Sequence, residues 1–158
     1  HRLDECLAAA LVRIEPDRVR IQLHLTPGIE VASKLLQRID TNRDDRISMT
    51  EGWAHGEAFR RKLDLRIDGK RVPLNLESAD FPDTATFRSG ETAAILVYEA
   101  RIDPVKAGQH VALFHNRNRP PRPVYLANAV LPMDRSIRVT GQERNRNQSR
   151  LRIRFTKE

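Results

Sequence analysis

Residues 40 to 51 read Asp40-Thr41-Asn42-Arg43-Asp44-Asp45-Arg46-Ile47-Ser48-Met49-Thr50-Glu51, with oxygen-bearing side chains at Asp40, Asn42 and Asp44 and again at Ser48 and Glu51. This is a donor set for a hard cation. Ca²⁺ takes about six to eight oxygens at roughly 2.3–2.6 Å, and a short loop supplies them when carboxylates and amides stand at alternate positions as the backbone wraps the ion. A metal-free explanation covers part of the pattern, because Ser48 followed by Glu51 is a capping box that starts a helix unaided. It leaves the joint placement of Asp40, Asn42 and Asp44 unexplained.

The flanking residues carry a helical period. Upstream, Ile29, Ala32, Leu35, Leu36 and Ile39 recur at three and four, a helix of about three turns, with Thr26 as its cap and Pro27 as its first residue. Downstream, Met49, Trp53, Ala54 and Ala58 predict a second helix from Met49 to Leu63, softened at Gly52 and Gly56 by about 1 kcal/mol each. The twelve residues between resemble the calcium loop of the EF-hand family. The resemblance implies that Asp40, Asn42 and Asp44 fill loop positions one, three and five, Arg46 offers its carbonyl at seven, Ser48 coordinates at nine and Glu51 closes the shell at twelve. Ile47 at position eight matches the apolar anchor. Asp45 replaces the usual Gly at position six, and Asp is among the non-glycine residues that best tolerate the positive φ required there. No second loop is present, so a lone site is expected, either a structural staple or a weak one of about 10⁻⁴ to 10⁻³ M.

Elsewhere the period is two. Leu7 to Ile14 and Val19 to Leu25, joined by Glu15-Pro16-Asp17-Arg18, predict a hairpin in which His24 faces solvent. Leu63, Leu65 and Ile67, then Asp68-Gly69, then Val72, Leu74 and Leu76 predict a second hairpin, with Pro73 marking its return as an edge strand. Further strands are expected at Thr84 to Arg88, Ala93 to Ile102, Gln109 to His115, Val124 to Leu131, Ile137 to Thr140 and Leu151 to Phe155. The predicted fold is α+β: one domain over 1–158, a mostly antiparallel β-sandwich, Ig-like or a partly open barrel, with a helix–loop–helix inserted at 26–63.

The 158 residues hold 28 Lys plus Arg against 21 Asp plus Glu, a net charge of +7 that raises nucleic acid as a partner. The distribution argues otherwise. One cluster, Arg117, Arg119 and Arg122, lies in a loop without interleaved aromatics. In another, Arg150, Arg152 and Arg154 alternate with Leu151, Ile153 and Phe155, the pattern of a strand with one solvated face whose like charges discourage edge pairing. A basic nucleic-acid-binding module is therefore only an alternative. Cys6, the single cysteine, sits in an apolar run and reads as a small buried hydrophobe. His1 could hold Cu(II) or Ni(II) through its amine and ring, with His24, His55, His110 or His115 completing the shell, a second alternative. Serine-elbow, zinc-protease, P-loop and dinucleotide motifs are all missing, so no enzymatic activity is expected.

Four segments carry a wider resemblance: Leu25-Thr26-Pro27-Gly28-Ile29-Glu30-Val31, Leu65-Arg66-Ile67-Asp68-Gly69, Val124-Tyr125-Leu126-Ala127-Asn128-Ala129-Val130-Leu131-Pro132 and Arg152-Ile153-Arg154-Phe155. Together they resemble the extracytoplasmic N-terminal domain of bacterial HupE/UreJ-like membrane proteins, although Arg2 stands where that group carries Pro. The resemblance implies a periplasmic or exported domain whose partners, besides Ca²⁺, are its own membrane-embedded region or another envelope protein. A chain starting at His1 is expected to be a processed form or a piece of something longer. Its oligomeric state is left open.

Overall fold

The computed structural model describes residues 2–158. The chain opens with β1 (Cys6–Glu15) and β2 (Arg18–Pro27), turns into α1 (Ala32–Ile39) and α2 (Met49–Arg60), and continues through β3 (Leu63–Ile67), β4 (Lys70–Arg71) and β5 (Asn75–Asp80). A short α3 (Thr84–Ser89) precedes β6 (Ala94–Arg101), β7 (Gly108–Asn116), β8 (Pro123–Ala129), β9 (Ile137–Arg144) and β10 (Arg150–Lys157). The fold is β-rich α+β, with two five-stranded sheets ordered β5-β6-β2-β1-β8 and β4-β3-β7-β10-β9. All neighbours are antiparallel except β1 and β8, which run parallel. Among the described residues no helix is long and apolar enough to cross a membrane.

Burial follows the period-two pattern. In β1, Cys6, Ala8, Ala10, Val12 and Ile14 are buried, and their neighbours are partly exposed. One continuous core joins Ile21, Leu23 and Tyr98 of the first sheet to Phe114, Leu151 and Ile153 of the second. Each such side chain contributes about 1.5–3 kcal/mol of burial free energy. Along one side, β9 reaches the edge of β8: the Arg144 guanidinium donates to the Ala127 carbonyl at 2.6 Å, and the Gln142 amide oxygen accepts the Ala129 N–H at 2.9 Å. These bonds occupy edge groups that would otherwise invite another strand.

Several elements depart from the sequence reading. Thr26 and Pro27 do not cap a helix but extend β2, pairing with Leu7 and Cys6. A residue before proline is biased toward extended backbone, and the ladder with β1 continues that bias. α1 therefore starts at Ala32 without a side-chain cap, spans 8 residues rather than three full turns, and leaves Ile29 exposed. α2 ends at Arg60 and presents a different face from the one predicted: Met49 is 93% exposed and Trp53 44%, and the buried residues are Glu51, Gly52, Gly56 and Phe59. The glycines let this helix lie close on its neighbours. A Cβ on Gly52 would stand 2.9 Å from the Phe81 ring, and one on Gly56 would stand 2.7 Å from a Leu76 methyl.

Thr84 to Arg88, expected as a strand, forms α3. The Asp83 side chain accepts the Thr86 N–H at 2.8 Å to start it, and Gly90 at φ 76 ends it, a start and stop that override the β-branched composition. The return strand expected at Val72 to Leu76 starts and stops elsewhere: pairing with β3 ends at Arg71, and residues 72–74 lie in no strand. β4 is a two-residue edge strand, and β5 joins the other sheet from Asn75, so the chain changes sheets around Pro73. Arg150, Arg152 and Arg154 do face solvent, but β10 lies between β7 and β9 and guards no edge.

A side-chain lock closes the β3–β4 turn against β7. The His110 ring meets the Asp68 carboxylate at 2.6 Å through Nδ1 and the Lys106 carbonyl at 2.6 Å through Nε2, and it stacks on Phe155 with centroids 5.4 Å apart. Both ring nitrogens face acceptors, so the lock is complete when both carry protons. The Asp68 bond, reinforced by the Lys106 carbonyl against some desolvation, raises the His110 pKa above its ordinary value. Stability from this lock is fully present below about pH 6.5 and is lost as pH rises through the higher folded value. With Asp68 half exposed, about 1 kcal/mol is expected after screening. Urea denaturation from pH 5.5 to 9 is expected to show this loss in the native chain, and Asp68→Asn should flatten it; equal slopes would contradict the lock. Separately, Gly56→Val is expected to cost about 1–3 kcal/mol by overpacking, despite the poor helix propensity of glycine. Thermal melts check this, and an unchanged or raised midpoint would contradict the close helix approach.

Candidate metal centre

Two local devices position the loop between the helices. α1 ends at Asp40, whose N–H returns to the Leu36 carbonyl at 2.7 Å. α2 begins with the full capping box, the Ser48 hydroxyl accepting the Glu51 N–H at 3.1 Å and the Glu51 carboxylate accepting the Ser48 N–H at 2.9 Å. Ile47, half-buried against the core, fixes the loop's descending arm. Between these points the chain turns on two left-handed residues, Arg43 at φ 58 and Asp45 at φ 61. Asp45 has the conformation expected of it. Arg43 adopts it although arginine is not among the residue types that favour positive φ.

Asp40, Asp44 and Glu51 come together: each offers a carboxylate oxygen, and these lie within 4.8 Å of one another. The loop's own amides hold the carboxylates. Asp40 accepts the N–H of Asp45 at 2.8 Å and of Asp44 at 3.3 Å, and Asp44 accepts that of Arg46 at 3.0 Å. Glu51 uses its second oxygen on the Thr41 N–H at 2.7 Å and, more distantly, on the Asn42 N–H at 3.4 Å. One side chain thus ties the first and last turns of the loop together.

The other sequence-predicted ligands serve the loop's internal bonding. The Asn42 side-chain oxygen accepts the Asp44 N–H at 3.2 Å and its amide donates to the Asp44 carboxylate, Ser48 caps α2, and the Arg46 side chain is exposed. Hydrogen bonding, led by the Ser48 N–H and aided by Thr41 and Asn42 against some desolvation, holds the Glu51 pKa down at about 2. Outside the loop, Arg88 of α3 donates to the Asp45 carboxylate at 2.9 Å and the Thr84 hydroxyl donates to the Asp45 carbonyl at 3.0 Å. Reading α3 as a strand hid these supports. The Asp83 N-cap and the Gly90 stop were the signals available in the sequence.

The remaining candidates are dispersed. His55 lies against Phe59, ring centroids 5.1 Å apart, and burial, with Arg38 nearby, lowers its pKa to about 4. His24 contacts Gln22, and His110 is committed to Asp68. Cys6 is fully buried, which pushes its thiol up to about 12. Among the described residues no histidine joins a group of three metal-binding side chains. The copper or nickel reading centred on His1 lies outside the described residues. Compared with known proteins, the chain matches no protein-family model and finds no match among curated proteins or among solved structures.

Ionised Glu51 is worth most where an ordinary glutamate has already lost its proton. Its contribution is present above about pH 4.5 and disappears as pH falls toward 2. In chelator, denaturation of the native chain and of Glu51→Gln is expected to converge as pH falls through that window, the variant being less stable at neutral pH. Parallel pH curves would contradict the hub role of this carboxylate.

Proposed function

We propose that residues 40–51 form a calcium site of the EF-hand type within an exported domain, and that the ion staples the two helices to the β-rich body. The observation carrying this reading is the convergence of Asp40, Asp44 and Glu51 in a loop bounded by helices on both sides. An ion about 2.4 Å from each of three oxygens requires those oxygens to lie within about 4.8 Å of one another, and the trio meets that limit. Asn42, the Arg46 carbonyl and Ser48 supply the rest of the shell. The hardness of the donors favours Ca²⁺ over soft transition metals.

The function is binding and structural rather than catalytic. The body is read as a partly open sandwich, supported by the shared core and by the Arg144 and Gln142 side chains reaching from one sheet edge to the other. The periplasmic or exported setting, with a membrane-embedded region or an envelope protein as partner, is supported by the resemblance to HupE/UreJ-like N-terminal domains.

If Kd is about 1 mM, 10 mM Ca²⁺ stabilises the chain by roughly 1.4 kcal/mol, a rise in melting temperature of about 3–6 °C. Asp44→Asn keeps an acceptor for the Arg46 N–H but removes a ligand charge, and it is expected to abolish most of the rise. Calorimetric titration of the native chain should show saturable heat, absent with excess chelator. No heat and no shift, or a full shift in Asp44→Asn, would overturn the proposal.

A further inference from the structure

A second site is built beside the C-terminal end of α2. The segment 116–122 leads from the end of β7 to β8, and the alternating Asn and Arg residues of 116–119 divide the work. The asparagines face inward: Asn118 donates through its amide to the Phe59 carbonyl at 2.9 Å and to the Asn116 side-chain oxygen at 3.1 Å, both asparagines being buried. The backbone is tied as well, the Arg117 N–H to the Lys62 carbonyl at 2.8 Å and the Arg119 carbonyl to the Arg38 guanidinium at 2.9 Å. Tyr125 donates its hydroxyl to the Asn118 carbonyl. A loop fixed so thoroughly holds its outward side chains in one arrangement and reduces the entropy lost on binding.

Arg117 and Arg119 line a cleft of about 880 Å³ that is completed by Arg146 at the tip of the β9–β10 hairpin and floored by Val124 and Leu126. That tip is likewise held, by the Asn145 side chain to Ser149 at 3.0 Å and to the Arg150 N–H at 3.0 Å. No Asp or Glu lines the cleft, and none of the ion pairs among the described residues involves these three arginines. Its volume lies in the usual range for ligand sites, about 300–1,000 Å³.

We propose that this cleft binds an acidic peptide segment in extended form, its carboxylates paired with Arg117, Arg119 and Arg146 and its apolar side chains lying on Val124 and Leu126. Guanidinium forks match carboxylates in a bidentate manner. The apolar floor gives a peptide a purchase that a phosphate backbone would not use. The aromatic rings of the lining are Tyr125, tied through its hydroxyl to the Asn118 carbonyl, and the single imidazole of His115, a small platform for a run of stacked bases. The concave shape suits a segment of chain better than the plane of a bilayer. The site is independent of calcium and stands whether or not the loop binds an ion.

The test is fluorescence anisotropy with a labelled, acetylated octapeptide of alternating Glu and Val, in about 20 mM salt with EDTA. Saturable binding is expected, weakened roughly fivefold to tenfold by Arg119→Gln alone, the equivalent of losing one charge-assisted pair. The triple change at Arg117, Arg119 and Arg146 should abolish it. Arg135→Gln with Arg138→Gln, at the far end of β9, should leave the affinity within about twofold. Arg119 makes no side-chain bond to the fold, so the single variant is interpretable even if the triple variant unfolds. Absent binding, or equal weakening by both variant sets, would overturn the proposal. So would displacement of the peptide by a thymidine octanucleotide or by anionic phospholipid vesicles at lower concentration than unlabelled peptide.

Discussion

The Glu51 carboxylate is the point on which the helix–loop–helix segment of this molecule turns. One oxygen satisfies the Ser48 N–H at the start of α2, and the other satisfies the Thr41 N–H just after α1. The same residue is therefore both a helix cap and the clasp of a loop. Once the clasp is closed, Ile47 is held against the core and Gly52 comes to lie against Phe81. One turn further on, Gly56 meets Leu76, and its carbonyl accepts the buried Tyr98 hydroxyl at 2.7 Å. The registration of α2 on the first sheet is the downstream consequence.

The clasp also sets up an electrostatic tension. Asp40, Asp44, Asp45 and Glu51 crowd one short loop, and among the described residues only Asp45 of these forms an ion pair, with Arg88. The others are satisfied by backbone N–H groups, partial charges that offset repulsion without cancelling it. A divalent cation would neutralise the rest and convert a loop already bent to shape into a tighter one. The helices on either side would keep their places, which favours the proposed staple over a switch. The cationic cleft beside the C-terminal end of α2 follows the same logic, with buried asparagines fixing the backbone while the cleft arginines are left without carboxylate partners, Arg117 touching only the Arg61 carbonyl at 3.3 Å.

Legibility from sequence depended on where the controlling interaction lay. Strands with one buried face, such as Cys6–Glu15 and Arg150–Lys157, were readable because the period-two pattern is imposed by burial alone. The clustering of Asp40, Asp44 and Glu51 was readable because their spacing is local. What misled was context. Met49 and Trp53 are the hydrophobes that suggest the packed face of α2, yet the face that packs holds Gly52, Gly56 and Phe59, and the glycines contribute by the absence of a side chain. Thr26-Pro27 reads as a helix start in isolation but is claimed by a ladder formed with residues some twenty positions earlier. The Asp68–His110 lock joins residues 42 apart in sequence and leaves no local trace.

The central claim is that Glu51 holds the loop in a form ready to receive Ca²⁺, trading amide partners for the ion at one end of the loop while keeping its cap at the other. Two-dimensional ¹H–¹⁵N NMR of the native chain during calcium titration tests this most directly. Saturable shifts are expected at the Thr41, Asn42, Asp44 and Asp45 amides, with the strand amides nearly unmoved. Amides of residues 40–51 that stay fixed at millimolar Ca²⁺, or shifts spread evenly over the acidic surface, would contradict the account.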